Sequence, residues 1–228
     1  MSSDELARER AAVDLLRRRI VNVVGHELKL PVSTIRGLAE ALSSATPEQV
    51  HDEIGPALAR NTARLERLVD DLLLASGVFT VLPVEPAESR AVGPVVAQAW
   101  AAVGGDRELG VDATTEHTLV RTRADGLERI LTAVLDNAAK YGDPPYVVRT
   151  TSSGAVVTIE VSSTGTPGPA DLALALEPFY RGEAAVTVTP GLGIGLAVAT
   201  ALAAQDGGRV SLRVEDDRMV STVELPAG

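Results

Sequence analysis

A single His–Glu pair, His26–Glu27, lies within the stretch VNVVGHELKLPVSTIRGLAEAL at residues 21–42. At about 100° per residue, a helix would place His26 roughly 200° from Val24, away from the apolar side. A water-exposed histidine beside a carboxylate suits a nucleophile, because Glu27 could accept one ring proton while the other nitrogen attacks. The alternative is an ordinary surface histidine on a bundle helix. The helical spacing of three and four residues is carried by Val13, Leu16, Ile20, Val24, Leu28, Pro31, Ile35, Leu38 and Leu42.

A second pair of polar residues, Asn137 and Lys140, lies in LDNAAKYG at residues 135–142. Residues three apart share one face of a helix. A neutral amide oxygen can bind Mg²⁺, and a lysine on the same face can contact phosphates. This stretch is therefore a candidate metal and phosphate site. The alternative is that Asn137 is only a polar residue at a helix surface.

Three glycines, Gly191, Gly193 and Gly195, precede or open a predicted helix over residues 193–205. Glycines allow a backbone to approach a phosphate closely, and the N-terminus of a helix favours anions. The spacing differs from the dinucleotide-binding fingerprint, and no strand immediately precedes it, so that class of site is disfavoured. The alternative is a tight turn into a buried helix.

Four stretches, in the order GHELKLP, LDNAAKYG, EPFYRG (residues 177–182) and GLGIGLAV (residues 191–198), resemble the H, N, F and G2 boxes of sensor histidine kinases. The resemblance covers the chain from about Val13 to about Leu225. It implies a homodimer that uses ATP and Mg²⁺ to phosphorylate His26, with Glu27 as base, and passes the phosphoryl group to an aspartate of a response regulator. It implies that Asn137 binds the metal and that the nucleotide is held by Asn137, Lys140, Tyr141, Ser163, Gly165, Arg181, Gly191, Leu192, Gly193, Gly195 and Leu196. Residues 183–190 would form the lid over the triphosphate.

Several residues depart from the pattern of that family. Ser163 in VSSTGTPGP (residues 161–169) takes the place of the aspartate that binds the adenine amino group, and Pro167 replaces a usual glycine. One residue is missing before Glu177, and Ala133 replaces a frequent second asparagine. These departures leave open a phosphotransfer or scaffold dimer that does not bind ATP. A regulator that binds ATP and works through another protein would leave GHELKLP unexplained.

The first domain, predicted over residues 1–78, is a helical hairpin. One long helix is expected over residues 4–44, with Pro31 bending its axis. Thr46, Pro47 and Gln49 predict the start of a second helix, and Gly55-Pro56 predicts a kink or a late start within it. Because each helix has an apolar stripe that one partner cannot cover, we expect two copies to form a four-helix bundle. The alternative is a two-helix decoration of the second domain.

The second domain, predicted over residues 79–228, is an α/β sandwich, so the fold class is α+β. A linker over residues 77–89 is expected to end in an edge strand. Three helices are predicted at residues 92–102, 125–140 and 193–205. Short strands are predicted at residues 111–113 and 118–120, a hairpin at 146–151 and 156–161, and closing strands at 209–214 and 219–225.

The composition of the chain disfavours several kinds of binding partner and site. The 228 residues carry a net charge of −10, which disfavours nonspecific binding to nucleic acid or anionic membranes. The absence of cysteine excludes disulfides and thiolate metal sites, and three scattered histidines form no metal-ligand pattern. The N-terminus is charged, and no run approaches the ~20 apolar residues that span a bilayer. We therefore expect a cytoplasmic chain without membrane contact of its own, whose signal is sensed elsewhere.

Overall fold

The computed structural model describes residues 21, 24–77, 86–123, 125–165, 168–182 and 192–228. The chain divides into two compact units, Met1–Leu73 and Leu74–Gly228. Outside the described residues lie the N-terminal part of the predicted long helix, most of the linker, Pro167, Gly191 and the predicted lid. The predicted domain boundary at residues 78–79 and the dimeric bundle remain predictions.

The first unit contains a helical hairpin. Helix α1 covers residues 24–41, and helix α2 starts with Pro47–Gln49 after a short turn. The Thr46 Oγ1 atom accepts a hydrogen bond from the Gln49 backbone N–H at 3.2 Å, and the Gln49 side chain accepts from the Thr46 N–H at 3.0 Å. This reciprocal capping box satisfies two N–H groups that a helix start leaves without partners. The predicted start of the second helix is confirmed.

Helix α2 continues as a π-helical turn at Val50–Ile54 and then as α-helix over Gly55–Ala75. The Gly55 N–H donates to the Val50 carbonyl, five residues back. Proline has no N–H, and its ring would clash with the carbonyl four residues earlier in a regular helix. The wider turn before Pro56 accommodates both constraints. Of the two predicted alternatives, a kink or a late start, the late start is excluded because the helix starts at its cap, and the interruption at Gly55-Pro56 takes the form of this π-helical turn.

The second unit is built on a five-stranded sheet with the order β2-β4-β5-β7-β6, in which only β2 and β4 are parallel. Strands β1 and β3 form a separate antiparallel pair, which confirms the predicted edge strand after the linker. The strands are β1 Glu88–Ala91, β2 Leu109–Val111, β3 Leu119–Thr122, β4 Asp143–Ser153, β5 Val156–Thr164, β6 Arg209–Glu215 and β7 Arg218–Pro226.

Four helices of this unit are described, one more than predicted. They are α3 Val92–Val103, α4 Gly126–Tyr141, α5 Pro169–Leu174 and α6 Gly195–Gln205. The sequence prediction missed the short α5, and it began α6 two residues early. It also assigned Ala113 to a strand, whereas Ala113–Glu116 forms a 3-10 turn whose start is capped by the Asp112 side chain.

Helix α4 lies at the centre of the helical layer, in contact with α3 on one side and α6 on the other. One of its faces is fully buried, since the side chains of Leu127, Ile130, Leu131, Val134 and Leu135 have no exposed surface. Burial of each such side chain contributes about 1.5–3 kcal/mol. This packing fixes α4 and leaves its opposite face, with Asn137, at the edge of the core.

A buried carboxylate fixes the far end of α6. Asp206 follows that helix, and its Oδ2 atom accepts hydrogen bonds from Thr122 Oγ1 at 2.7 Å and from the Arg123 N–H at 3.3 Å. The Arg123 guanidinium lies 3.4 Å from the other Asp206 oxygen and also donates to Gln205. The end of α6 is thus attached to the chain just before α4.

Candidate functional site

His26 is exposed on helix α1, as the apolar stripe predicts, and Glu27 is half-buried. No hydrogen bond joins the two side chains among the described contacts of α1, because consecutive helical residues point about 100° apart. Leu30 lies one turn after His26 and is 57% exposed. On the described part of its own helix, His26 therefore has Glu27 to the side and the exposed Lys29 and Leu30 one turn later on the same face.

Asn137 and Lys140 lie in the last two turns of α4, and Asn137 is half-buried. The Lys140 Nζ atom is 2.5 Å from Asp136 Oδ2, in an i,i+4 ion pair whose side chains are both about one-third exposed. Such pairs contribute only about 0.3–0.5 kcal/mol. Lys140 can therefore exchange Asp136 for a phosphate at little cost.

The end of β5 lies against the end of α4, so the structure brings Ser163 and Gly165 close to Tyr141. A Cβ atom on Gly142 would come within 2.1 Å of the Ser163 hydroxyl oxygen, which explains the glycine there. Gly165 has a φ of +120° and lies near the Tyr141 carbonyl. Ser163 is only 1% exposed, whereas Tyr141 is 50% exposed. The tyrosine is thus the accessible member of this group.

Two segments that are separate in the sequence, at residues 179–182 and 192–194, are in direct contact. The Phe179 N–H donates to the Gly193 carbonyl at 2.9 Å, and both residues have left-handed backbones, with φ values of +65° and +70°. A Cβ on Gly193 would lie 2.5 Å from the Tyr180 carbonyl oxygen and 2.9 Å from Arg181 Cγ. We call residues 179–182 the F segment and residues 192–194 the glycine turn. Only glycine at position 193 permits this approach.

The glycine turn leads directly into α6, whose first residue, Gly195, faces α4. A Cβ on Gly195 would meet the Ala133 Cβ at 3.7 Å, an ordinary contact, and Ala133 lies one turn before Asn137. The start of α6, with its N–H groups, is thus near the polar end of α4. Leu192 and Leu196 are 8% and 9% exposed, so a nucleotide contact from either would use its backbone.

Asp171 is the residue near this site that the sequence interpretation missed. It lies on the short helix α5, and its Oδ1 atom accepts a hydrogen bond from the Tyr180 hydroxyl at 2.5 Å. Six residues without a clear apolar period offered no signal for this helix. His26 and Glu27 belong to the first unit, and the other described candidates belong to the second. Gly191 lies outside the described residues.

Two family models match most of the chain between them. Residues 16–76 match the His Kinase A (phospho-acceptor) domain, which includes His26. Residues 122–228 match the histidine kinase-, DNA gyrase B- and HSP90-like ATPase domain. The chain belongs to the sensor histidine kinases. The predicted α+β class, a helical region followed by an α/β domain, is confirmed by structural neighbours of this kinase core.

Individual relatives agree with the family assignment. The bacteriophytochrome of Pseudomonas aeruginosa is 32% identical over 226 residues, covering 95% of this chain and 30% of the relative. The histidine-protein kinase/phosphatase MprB of Mycolicibacterium smegmatis is 30% identical over 243 residues, covering 95% of this chain and 47% of the relative. The structure of a mycobacterial sensor histidine kinase MprB is 25% identical, with a TM-score of 0.50 over 61% of this chain and 98% of that one.

The chain thus spans less than half the length of these two curated relatives. Within the described ranges, none of the helices of this kinase core combines the length and the apolar character that crossing a bilayer requires.

Proposed function

We propose that this kinase core transfers the γ-phosphoryl group of ATP to His26 and then to an aspartate on the receiver domain of a response regulator. The observation that carries the proposal is the exposed position of His26 on a helix that matches the phosphoacceptor model. The same chain carries a matched ATPase domain with a closely packed glycine turn. We further propose that the active form is a homodimer, because the exposed apolar residues of the hairpin need a partner.

In the proposed reaction, a neutral His26 ring nitrogen attacks the γ-phosphorus. The new N–P bond forms as the bond from phosphorus to the β–γ bridging oxygen breaks, and ADP leaves. Glu27 accepts the proton from the other ring nitrogen, which stabilises the positive charge that attack would otherwise leave on the ring. The phosphohistidine then donates its phosphoryl group to the carboxylate of the partner.

The second unit would bind the nucleotide. Asn137 offers an amide oxygen, a hard donor that suits Mg²⁺, and the bound ion would neutralise phosphate charge. Lys140 and Arg181 would contact phosphates, and the backbone N–H groups from Gly193 to Gly195 would cradle them at the start of α6. Tyr141, Ser163 and Gly165 would surround the base. The close approach of the Tyr180 backbone to Gly193, which a side chain would prevent, holds the turn that leads into these N–H groups.

The second candidate function is a phosphotransfer dimer that has lost nucleotide binding, and the serine at position 163 favours it. Incubation with ATP labelled at the γ-phosphate separates the two. We expect Mg²⁺-dependent, acid-labile label on this chain, which then moves to a receiver domain when one is added. An unlabelled chain that still accepts a phosphoryl group from a phosphorylated receiver domain would favour the second function.

Dephosphorylation of the partner should be slow. Kinases of the resembling family that also act as phosphatases usually have Thr or Asn four residues after the histidine, where a polar group can orient water. Here that residue is the exposed Leu30, whose side chain can neither donate nor accept a hydrogen bond. We expect Leu30→Thr to raise the rate of dephosphorylation of a phosphorylated receiver domain by about tenfold or more.

Val32→Thr provides the matched control for this change, because Val32 is 50% exposed on the same helix but on another face. It should leave the rate unaltered. A fast rate in the unmodified chain, or an equal effect of both substitutions, would contradict the role given to Leu30.

Ser163 should give this chain only a small difference in affinity between ATP and GTP. A hydroxyl can donate as well as accept, so it can bond either purine, whereas a carboxylate accepts only from the adenine amine. The neutral bond is weaker than a charge-assisted one by about 1 kcal/mol, or several-fold in affinity. We expect Ser163→Asp to tighten ATP several-fold in calorimetry and to weaken GTP.

Ser211→Asp places the same change on β6, at an exposed position, and should leave both affinities unaltered. Equal ATP affinity before and after Ser163→Asp would show that other residues hold the base.

A further inference from the structure

The carboxylate of Asp171 lies between two glycines of the second unit. A Cβ on Gly168 would come within 3.3 Å of its Oδ2 atom, and a Cβ on Gly182 would come within 2.9 Å of its Oδ1 atom. A side chain at position 182 would therefore displace the carboxylate. Gly182, the last residue of the F segment, and Gly168, which precedes α5, thus both leave room for the Asp171 carboxylate.

The Tyr180 hydroxyl donates to the same Oδ1 atom at 2.5 Å. A hydroxyl bound to a carboxylate at such a distance is among the stronger hydrogen bonds of proteins. This bond links α5, just after the β5 end that carries Ser163 and Gly165, to the F segment. The two stretches with candidate nucleotide contacts are thereby joined by one side-chain pair.

The F segment in turn contacts the glycine turn, so its position affects the position of the turn. The backbone carbonyl of Tyr180 lies where a Cβ of Gly193 would be, and the neighbouring Phe179 N–H donates to the Gly193 carbonyl. A displacement of Tyr180 therefore displaces the turn that leads into α6. The path from Asp171 to the turn includes the Tyr180 hydrogen bond, the close backbone contact at Gly193 and the Phe179–Gly193 hydrogen bond.

We propose that Asp171 is a positioning residue for nucleotide binding, which acts through Tyr180 by holding the F segment and the glycine turn in place. This inference rests on the proposed function only for its consequence in nucleotide affinity. The structural part, that Asp171 immobilises the F segment, holds in the chain without nucleotide and has a readout of its own. In this role Asp171 acts through Tyr180 and not by contact with the reacting atoms or the phosphates.

The direct test is Tyr180→Phe in the full chain, because it removes one hydroxyl and keeps the ring. We expect amide hydrogen exchange at Phe179 to become about tenfold faster without nucleotide, and the KM for ATP with Mg²⁺ to rise about tenfold. The kcat at saturating ATP should change less than about twofold, because the turn is restored when the nucleotide is bound. Tyr146→Phe removes another hydroxyl bond, to Gly142, and should leave exchange at Phe179 unaltered.

Two variants of Asp171 separate the hydrogen bond from simple loss of packing. Asp171→Asn keeps an acceptor oxygen on a side chain of the same shape. It should therefore retain most of the ATP affinity that Asp171→Ala loses. Combining Tyr180→Phe with Asp171→Ala should cost no more than the larger single effect, since both remove the same bond.

Unaltered exchange at Phe179 in Tyr180→Phe would overturn the proposal, and so would faster exchange with an unaltered KM. If the unmodified chain binds no ATP, the proposed function and the nucleotide role of Asp171 both fail. The comparison of exchange rates would then still decide whether Asp171 immobilises the F segment.

Discussion

His26→Gln should abolish labelling of this chain by ATP labelled at the γ-phosphate. Loss of the attacking group itself lowers rates by about a thousandfold or more. Glutamine keeps the length and polarity of the side chain on an exposed helix face, so folding should be unaffected. The measurement is label retained on the chain after denaturation, with circular dichroism and sedimentation to show that fold and oligomeric state are unaltered.

His51→Gln and His117→Gln are the matched controls. Both histidines are exposed and have acidic neighbours, Asp52 and Glu116, so a nearby carboxylate alone does not distinguish His26. Each control should keep full labelling. Label that survives His26→Gln on a folded chain would show that the phosphoacceptor is another residue.

Gly193→Ala should weaken ATP binding by about 30-fold or more. The substitution forces a side chain into a left-handed backbone with φ of +70° and places its Cβ 2.5 Å from the Tyr180 carbonyl oxygen. Backbone strain of this kind costs about 1–3 kcal/mol, and a clash with main chain cannot be relieved by a rotamer change. The turn must open, which moves the N–H groups that would cradle the phosphates. Calorimetric titration with ATP and Mg²⁺ measures the effect.

Gly154→Ala is the matched control, because it tests a left-handed backbone without a steric clash. Gly154 has a similar φ of +61° in the hairpin between β4 and β5, but a Cβ there would meet nothing within 4 Å. It should lower stability by about 1 kcal/mol and leave ATP affinity unaltered. Comparable losses of affinity in both variants would mean that the glycine turn has no special part in binding.

The elements with strong local signals were predictable from the sequence. The five-residue apolar face of α4 and the reciprocal cap formed by Thr46 and Gln49 depend on residues three or four apart, and both are present. Helix α5 has only six residues, too few to show a period. The π-helical turn before Pro56 is one of several ways to accommodate a proline, so the sequence could indicate an irregularity but not its form.

The candidate site residues could be chosen from the sequence, and their roles stay predictions, but their arrangement could not be predicted. The residue types around Asn137 and the glycines indicated metal and phosphate chemistry, because amide oxygens suit Mg²⁺ and glycines allow close backbone approach. The contacts of Phe179 with Gly193, of Ala133 with Gly195 and of Asp171 with Tyr180 join residues that no periodic pattern links. Such pairs follow from tertiary packing, which one sequence does not display.

The left-handed backbone of Phe179 has a thermodynamic consequence for any ligand that needs the F segment and the glycine turn in contact. An aromatic residue at φ of +65° stores about 1–3 kcal/mol of free energy, which is released when the segment relaxes. The arrangement in which the F segment contacts the glycine turn, the closed form, therefore has a population relative to a relaxed one that is lower than its contacts alone would give, by a factor of about 5 to about 150. A ligand that requires the closed form binds with an apparent affinity reduced according to the fraction of molecules in that form.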